Sequence, residues 1–117
     1  MRRLTTHVLD TAHGGPARGV RIELFALEGP ARRIVASAVT NGDGRTDAPL
    51  MAGDSFGAGV FEMHFHVGAY FRGRGVATAD PAFLDVVPVR FGIAEPDGHY
   101  HVPLLVTPWA YSTYRGS

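Results

Sequence analysis

The chain has 117 residues, eleven acidic and eleven basic side chains and no cysteine. That length fits one domain, 1–117, and the balanced charge argues against nucleic acid or an acidic membrane as partner, since both are gripped by clustered Lys and Arg. Without cysteine, disulfides, thiolate metal sites and a thiol nucleophile are excluded.

All eleven bases are arginine, a bias that favours directed contacts to carboxylates, carbonyls or anions and that a GC-rich genome would also produce. The start carries Arg2 and Arg3 but no apolar run behind them. The expectation is therefore no cleaved signal, no transmembrane segment and a cytoplasmic protein.

Residues 4–10 form a β-type run in which Thr5, His7 and Leu9 share a face, and Gly14, Gly15 and Pro16 end it in a turn cluster. Residues 20–26 alternate cleanly, with Val20, Ile22, Leu24 and Ala26 inward and Arg21 and Glu23 outward. A third strand is expected over 33–40, followed by Asn41, Gly42, Asp43, Gly44 and Arg45, a tight turn whose glycines suit positive φ angles. Arg45 then leads into a short extended piece at Thr46 and Asp47.

From 59 to 67, Phe61, Met63, Phe65 and Val67 make one face and Glu62, His64 and His66 the other. A single short helix is expected at 69–75, with 80–85 as the rival placement. Residues 86–93 contain Pro88 and read as an edge strand, because proline cannot donate to ladders on both sides. A turn at 95–98 leads into 99–107, which Pro108 breaks before a last strand over 109–117.

The run 99–107 stands apart. His99, His101, Pro103 and Leu105 lie on one side, Tyr100, Val102, Leu104 and Val106 on the other, and both sides are largely apolar. A strand dry on both faces needs a second partner, in a chain this short plausibly another subunit. Seven or eight short strands joined by turns predict an all-β, two-sheet sandwich.

The histidines supply the candidate chemistry. The pairs His64/His66 and His99/His101 each offer two ligands on a strand face, whereas a structural zinc site usually needs four, so no metal and no cofactor is expected. His64, His66 and His13 read as solvent-facing. His7 and His101 sit among apolar neighbours and leave two readings open. Each is either a hydrogen-bonded interface histidine or an acid–base catalyst able to take a proton from water and return it to a leaving nitrogen. Arg45, Arg115 and the Ser117 hydroxyl could polarise a carbonyl or hold an anion. No Gly-x-Ser-x-Gly motif, phosphate loop or hydrolase-type carboxylate pair is present.

Three stretches together carry a resemblance: residues 4–12, the run from Asn41 to Arg45, and residues 100–105 with 111–117, which end in Tyr114, Arg115, Gly116 and Ser117. They resemble, end to end, the transthyretin-related 5-hydroxyisourate hydrolase family of urate breakdown. The closing Tyr-Arg-Gly-Ser distinguishes those hydrolases from the transthyretin carriers. The resemblance implies a transthyretin-like sandwich with one short helix, assembled as a homotetramer (a dimer of dimers) with sites in a channel between the dimers. It further implies catalytic roles for His7, Arg45, His101 and Ser117, and substrate binding by Arg45, Tyr114, Arg115, Gly116 and Ser117. The implied substrate is 5-hydroxyisourate. The alternative reading is a non-catalytic carrier of a small aromatic ligand in the same channel.

Overall fold

The computed structural model describes residues 2–116. Ser117, expected at the site, lies outside the described residues. Eleven strand segments are present among them: β1 (Arg3–Thr5), β2 (Val8–Asp10), β3 (Gly15–Pro16), β4 (Arg21–Glu28), β5 (Ala31–Val39), β6 (Met51–Ala52), β7 (Gly59–His66), β8 (Val86–Ile93), β9 (His99–His101), β10 (Leu104–Val106) and β11 (Tyr111–Thr113). One α-helix, α1 (Val67–Gly73), follows β7 directly. No helix among the described residues is long and apolar enough to cross a membrane.

β1 and β2 are two halves of one strand, as are β9 and β10. Arg3 lies opposite His99 and Val8 opposite Leu104, so the parallel register is kept across both breaks. Backbone bonds from Val102 N to the Thr5 carbonyl (3.0 Å) and Leu104 N to the His7 carbonyl (2.9 Å) bridge the gap. Pro103 has no N–H to give on its other flank, where the Thr113 hydroxyl donates to its carbonyl at 2.7 Å. Counting each pair as one strand, and β3 as part of its turn, leaves the eight strands of a two-sheet sandwich.

The first sheet joins the orders β6-β1-β9 and β11-β10-β2-β3 through those interrupted strands; the second is β5-β4-β7-β8. The inward alternation expected for β4 and β7 holds, since Ile22, Leu24, Met63 and Phe65 are fully buried. They pack against Leu4, Val8, Leu104 and Val106 of the first sheet. Truncating one such leucine to alanine costs about 2–5 kcal/mol, so this core fixes how the first sheet is held. Pro88 does lie on an edge strand, β8.

Several boundaries differ from expectation. The helix begins at Val67, two residues early, and takes in Gly68, where a Cβ would come within 2.6 Å of the Asp85 carboxylate. Residues 80–85 are not helical, Thr46 and Asp47 form no strand, and the last strand spans only Tyr111–Thr113. His64 and His66 are not simply solvated. His64 is paired with Glu62 at 2.7 Å and packed on Phe25, and His66 is paired with Glu23 at 2.7 Å. Partners on neighbouring residues and strands cover these imidazoles, which strand periodicity alone cannot show. His13 likewise hydrogen-bonds Asp10, whose buried carboxylate also accepts from Tyr70 Oη at 2.7 Å and from the Ala12 and His13 amides. That carboxylate ties α1 to the end of β2.

Candidate active site

The outward face of the first sheet carries the chemistry. Along residues 3–10, Leu4, Thr6, Val8 and Asp10 are buried, while Arg3, Thr5, His7 and Leu9 are half-covered on the other side. The same holds at 99–106, where Tyr100, Val102, Leu104 and Val106 are buried and His99, His101 and Leu105 are half-covered. Both strands therefore turn their imidazoles to one face.

Register decides which side chains meet. Thr5 lies opposite His101, and the free flank of the strand at 3–10 is filled piecewise, by β6 opposite Arg3 and Leu4, Arg45 opposite His7, and β3 opposite Leu9 and Asp10. On its far side His101 pairs with Gly116. Across the sheet the order is thus Arg45, the Thr5/His7 strand, His101, Gly116. At about 4.8 Å per strand, the Arg45 backbone lies about 10 Å from the His101 strand, and its charge still acts on the His101 ring.

The turn that delivers Arg45 is built by Asn41. Its side-chain carbonyl accepts from Asp43 N (2.9 Å) and Arg45 N (3.2 Å), and its amide donates to Asp47 (3.0 Å). Gly42 does not need a positive φ, contrary to expectation, but Gly44 has φ +74. A Cβ on Gly44 would lie 2.4 Å from the Val8 carbonyl oxygen and 3.2 Å from the His7 ring. Only glycine lets this turn close on the strand. Gly116 plays the matching part on the other flank: its amide donates to the His101 carbonyl at 2.7 Å, and a Cβ there would come within 2.5 Å of His101 Cδ2.

Thr5, Arg45, Thr46, Asp47, His99 and His101 stand in the wall of a cleft of about 420 Å³. Burial, with the Arg45 charge second, pulls the His7 pKa below its ordinary value, against a backbone hydrogen bond to Asp43 that raises it. His101 is lowered by burial first, then by Arg45, His7 and His99. Two imidazoles are therefore held neutral beside a guanidinium, which suits proton abstraction next to a stabilised anion.

Of the residues expected at the site, the structure brings His7, Arg45 and His101 together, with Gly116 against His101. Tyr114 and Arg115 border an adjoining recess with His99 and Gly116, and the Arg115 guanidinium stacks over the Tyr100 ring, 4.1 Å from its centroid. Thr5 and His99 were not expected as site residues. Thr5 Oγ1 lies 2.9 Å from His101 Nδ1 and 3.4 Å from His99 Nε2. The period-2 pattern put Thr5 on the face of His7, but nothing local in the sequence paired it with His101. Among the described residues, no group of three or more His, Cys, Asp or Glu side chains is spaced to hold a metal ion.

Known proteins resemble this chain along its length. A relative in Rhizobium meliloti (strain 1021), 5-hydroxyisourate hydrolase 2, is 61% identical over 115 residues, covering 98% of this chain and 96% of its own. The structure of Klebsiella pneumoniae 5-hydroxyisourate hydrolase superposes with a TM-score of 0.82 at 36% identity, covering all of both chains. That of an (S)-allantoin synthase superposes with a TM-score of 0.92 at 50% identity over 98% of this chain, which spans only 43% of the synthase. The HIUase/Transthyretin family model matches residues 4–116, and the chain belongs to that family.

Proposed function

We propose that this protein is a cofactor-free cyclic-amide hydrolase acting on 5-hydroxyisourate. The observation that carries the reading is that Arg45 and His101 line one cleft while His7, bridged to Arg45, lies close enough to act on the His101 ring, the three coming from separate stretches of sequence. A carrier has no use for two neutral imidazoles beside a guanidinium. Full-length relatives bearing the hydrolase name support the same reading.

In this mechanism His7 takes a proton from water as the oxygen attacks the C6 carbonyl. Arg45 stabilises the oxyanion of the tetrahedral intermediate. Collapse breaks N1–C6, and His101 gives a proton to the departing nitrogen, yielding 2-oxo-4-hydroxy-4-carboxy-5-ureidoimidazoline. Tyr114, Arg115, Gly116 and Ser117 are assigned to substrate binding, with the Ser117 hydroxyl as a further catalytic group.

The proposal includes a homotetramer, a dimer of dimers with its sites in the channel between dimers. In support, the imidazole-bearing face is half-covered rather than wet, with Leu9 and Leu105 beside the histidines. A cytoplasmic location belongs to the same reading. The test is loss of ultraviolet absorbance of freshly generated 5-hydroxyisourate, with light scattering for the assembly. His7→Asn and His101→Asn are each expected to lower kcat by about 10²–10⁴-fold, and Arg45→Gln by about 10²–10³-fold. Equilibrium binding without turnover, or a fully active monomer, would overturn the reading.

A further inference from the structure

Within the hydrolase reading, on which this inference rests, His101 faces a difficulty. Burial, with the Arg45 guanidinium second, favours the neutral form of its ring. A neutral imidazole that gives up its one N–H becomes an imidazolate, out of reach near neutral pH. It can act as an acid only if its other nitrogen gains a proton in the same step.

The geometry points to Thr5 and His99 as a proton relay that feeds Nδ1 of His101, making Thr5 a positioning residue and His99 the solvent-side end of the path. Thr5 Oγ1 stands between His101 Nδ1 at 2.9 Å and His99 Nε2 at 3.4 Å. The second contact is long, as contacts within an unliganded site commonly are before substrate tightens them. A hydroxyl has one proton to give and lone pairs to accept with, so Thr5 cannot donate to both rings at once. When it donates to His101 Nδ1 and accepts from His99, His101 carries its proton on Nε2, ready for the leaving nitrogen.

The transfer balances. His101 Nε2–H passes to N1 of the substrate as N1–C6 breaks, the Thr5 proton moves to His101 Nδ1, and the His99 Nε2 proton replaces it on Thr5. His99 gives up its Nε2 proton as its Nδ1 takes one from solvent in the recess it shares with Tyr114, Arg115 and Gly116. The tautomers reset when the newly formed carboxylic acid gives its proton to His101 Nε2 and the relay runs backward, while His7 returns to solvent the proton taken from water. His101 remains neutral throughout. The charged and titratable groups facing it are His7, His99 and Arg45, with Arg3 and Asp47 in the same cleft.

Strand register builds the relay. Thr5 is the direct partner of His101, and His99 is two residues earlier on the same face of the same strand. That register sets one hydroxyl, Thr5 Oγ1, between the two rings.

The test compares Thr5→Val, which keeps the β-branched shape, with Thr5→Ser, which restores the hydroxyl. Thr5→Val is expected to lower kcat by about 10–100-fold with KM within about twofold, and Thr5→Ser to recover most of the loss. With the relay cut, the acid must start as imidazolium, so kcat of Thr5→Val should fall as pH rises through 7 where the wild type stays level. His99→Asn should show the same profile. A wild-type kcat and pH profile in Thr5→Val would overturn the proposal. A readout that needs no substrate separates this from failure of the hydrolase reading: the ¹⁵N shifts of His101 should report the Nε2–H tautomer in the wild type and lose that preference in Thr5→Val. Unchanged shifts would refute the coupling even in an active enzyme, whereas a wild type without turnover but with the tautomer change would sink only the hydrolase reading.

Discussion

Replacing Gly116 by alanine adds one methyl group at the place where the chain closes on His101. The new Cβ would lie 2.5 Å from His101 Cδ2 and 3.2 Å from Cγ, against an ordinary carbon contact of about 3.5–4.0 Å. About 1 Å must therefore be found. The His101 backbone is locked into the sheet by Thr5 and Gly116, so either the ring swings away from Thr5 or the tail lifts and loses its 2.7 Å bond to the His101 carbonyl. A misplacement of about 1 Å in a catalytic group costs about 10²-fold in rate, or roughly 2.7 kcal/mol of transition-state stabilisation. Gly116 sits on the sheet edge and contributes to none of the buried core, so the loss in stability should stay below about 1 kcal/mol, or under about 5 °C in Tm. The assay pairs 5-hydroxyisourate turnover with a thermal melt. Gly116→Ala turning over within about twofold of wild type would refute the packing argument, and a collapse of Tm would show that the tail holds the fold rather than the imidazole.

Gly44→Ala should behave in the opposite way. Its Cβ meets the Val8 carbonyl oxygen at 2.4 Å and its φ is +74, so strain and clash fall on backbone that cannot yield, and a loss of about 2–4 kcal/mol in denaturant unfolding is expected. Asp10→Asn removes a buried charge that accepts hydrogen bonds from Tyr70, His13 and two backbone amides; unfolding should be easier by about 2–4 kcal/mol, with little change in KM for the folded protein. The pH dependence has two windows. His7 and His101 titrate below about 6.5 in the folded protein, so the unfolded chain binds more protons just below that pH, and stability and kcat should both fall as pH drops through it, checked by melts and rates from pH 5 to 8. Burial alone would raise the Asp10 carboxyl, but the Tyr70 and His13 donors outweigh it and hold it low; its contribution is complete above about 3.9 and is lost only as pH falls below that, a second, more acidic loss in the melts.

The sandwich was legible because alternation is a local property. Ile22, Leu24, Met63 and Phe65 announce a buried face within eight-residue windows, and Pro88 announces an edge. The doubly apolar run around His101 could be read in the same way. Glu62 beside His64 and Asp10 beside His13 are local pairings, whereas the Glu23 partner of His66 is 43 residues away and the Tyr70 donor to Asp10 comes from across the sheet–helix junction, so neither could be read locally.

What the amino-acid order settled unaided was the class of fold, the turns, and which imidazoles and guanidinium carry the family's stamp. What only the three-dimensional arrangement decided was who stands beside whom: Arg45 against His7, Thr5 between His99 and His101, Gly116 under the His101 ring. The reason is physical. Side-chain direction along a strand repeats every two residues and is written locally, whereas the register between strands nearly a hundred residues apart is set by the packing of the core between the two sheets.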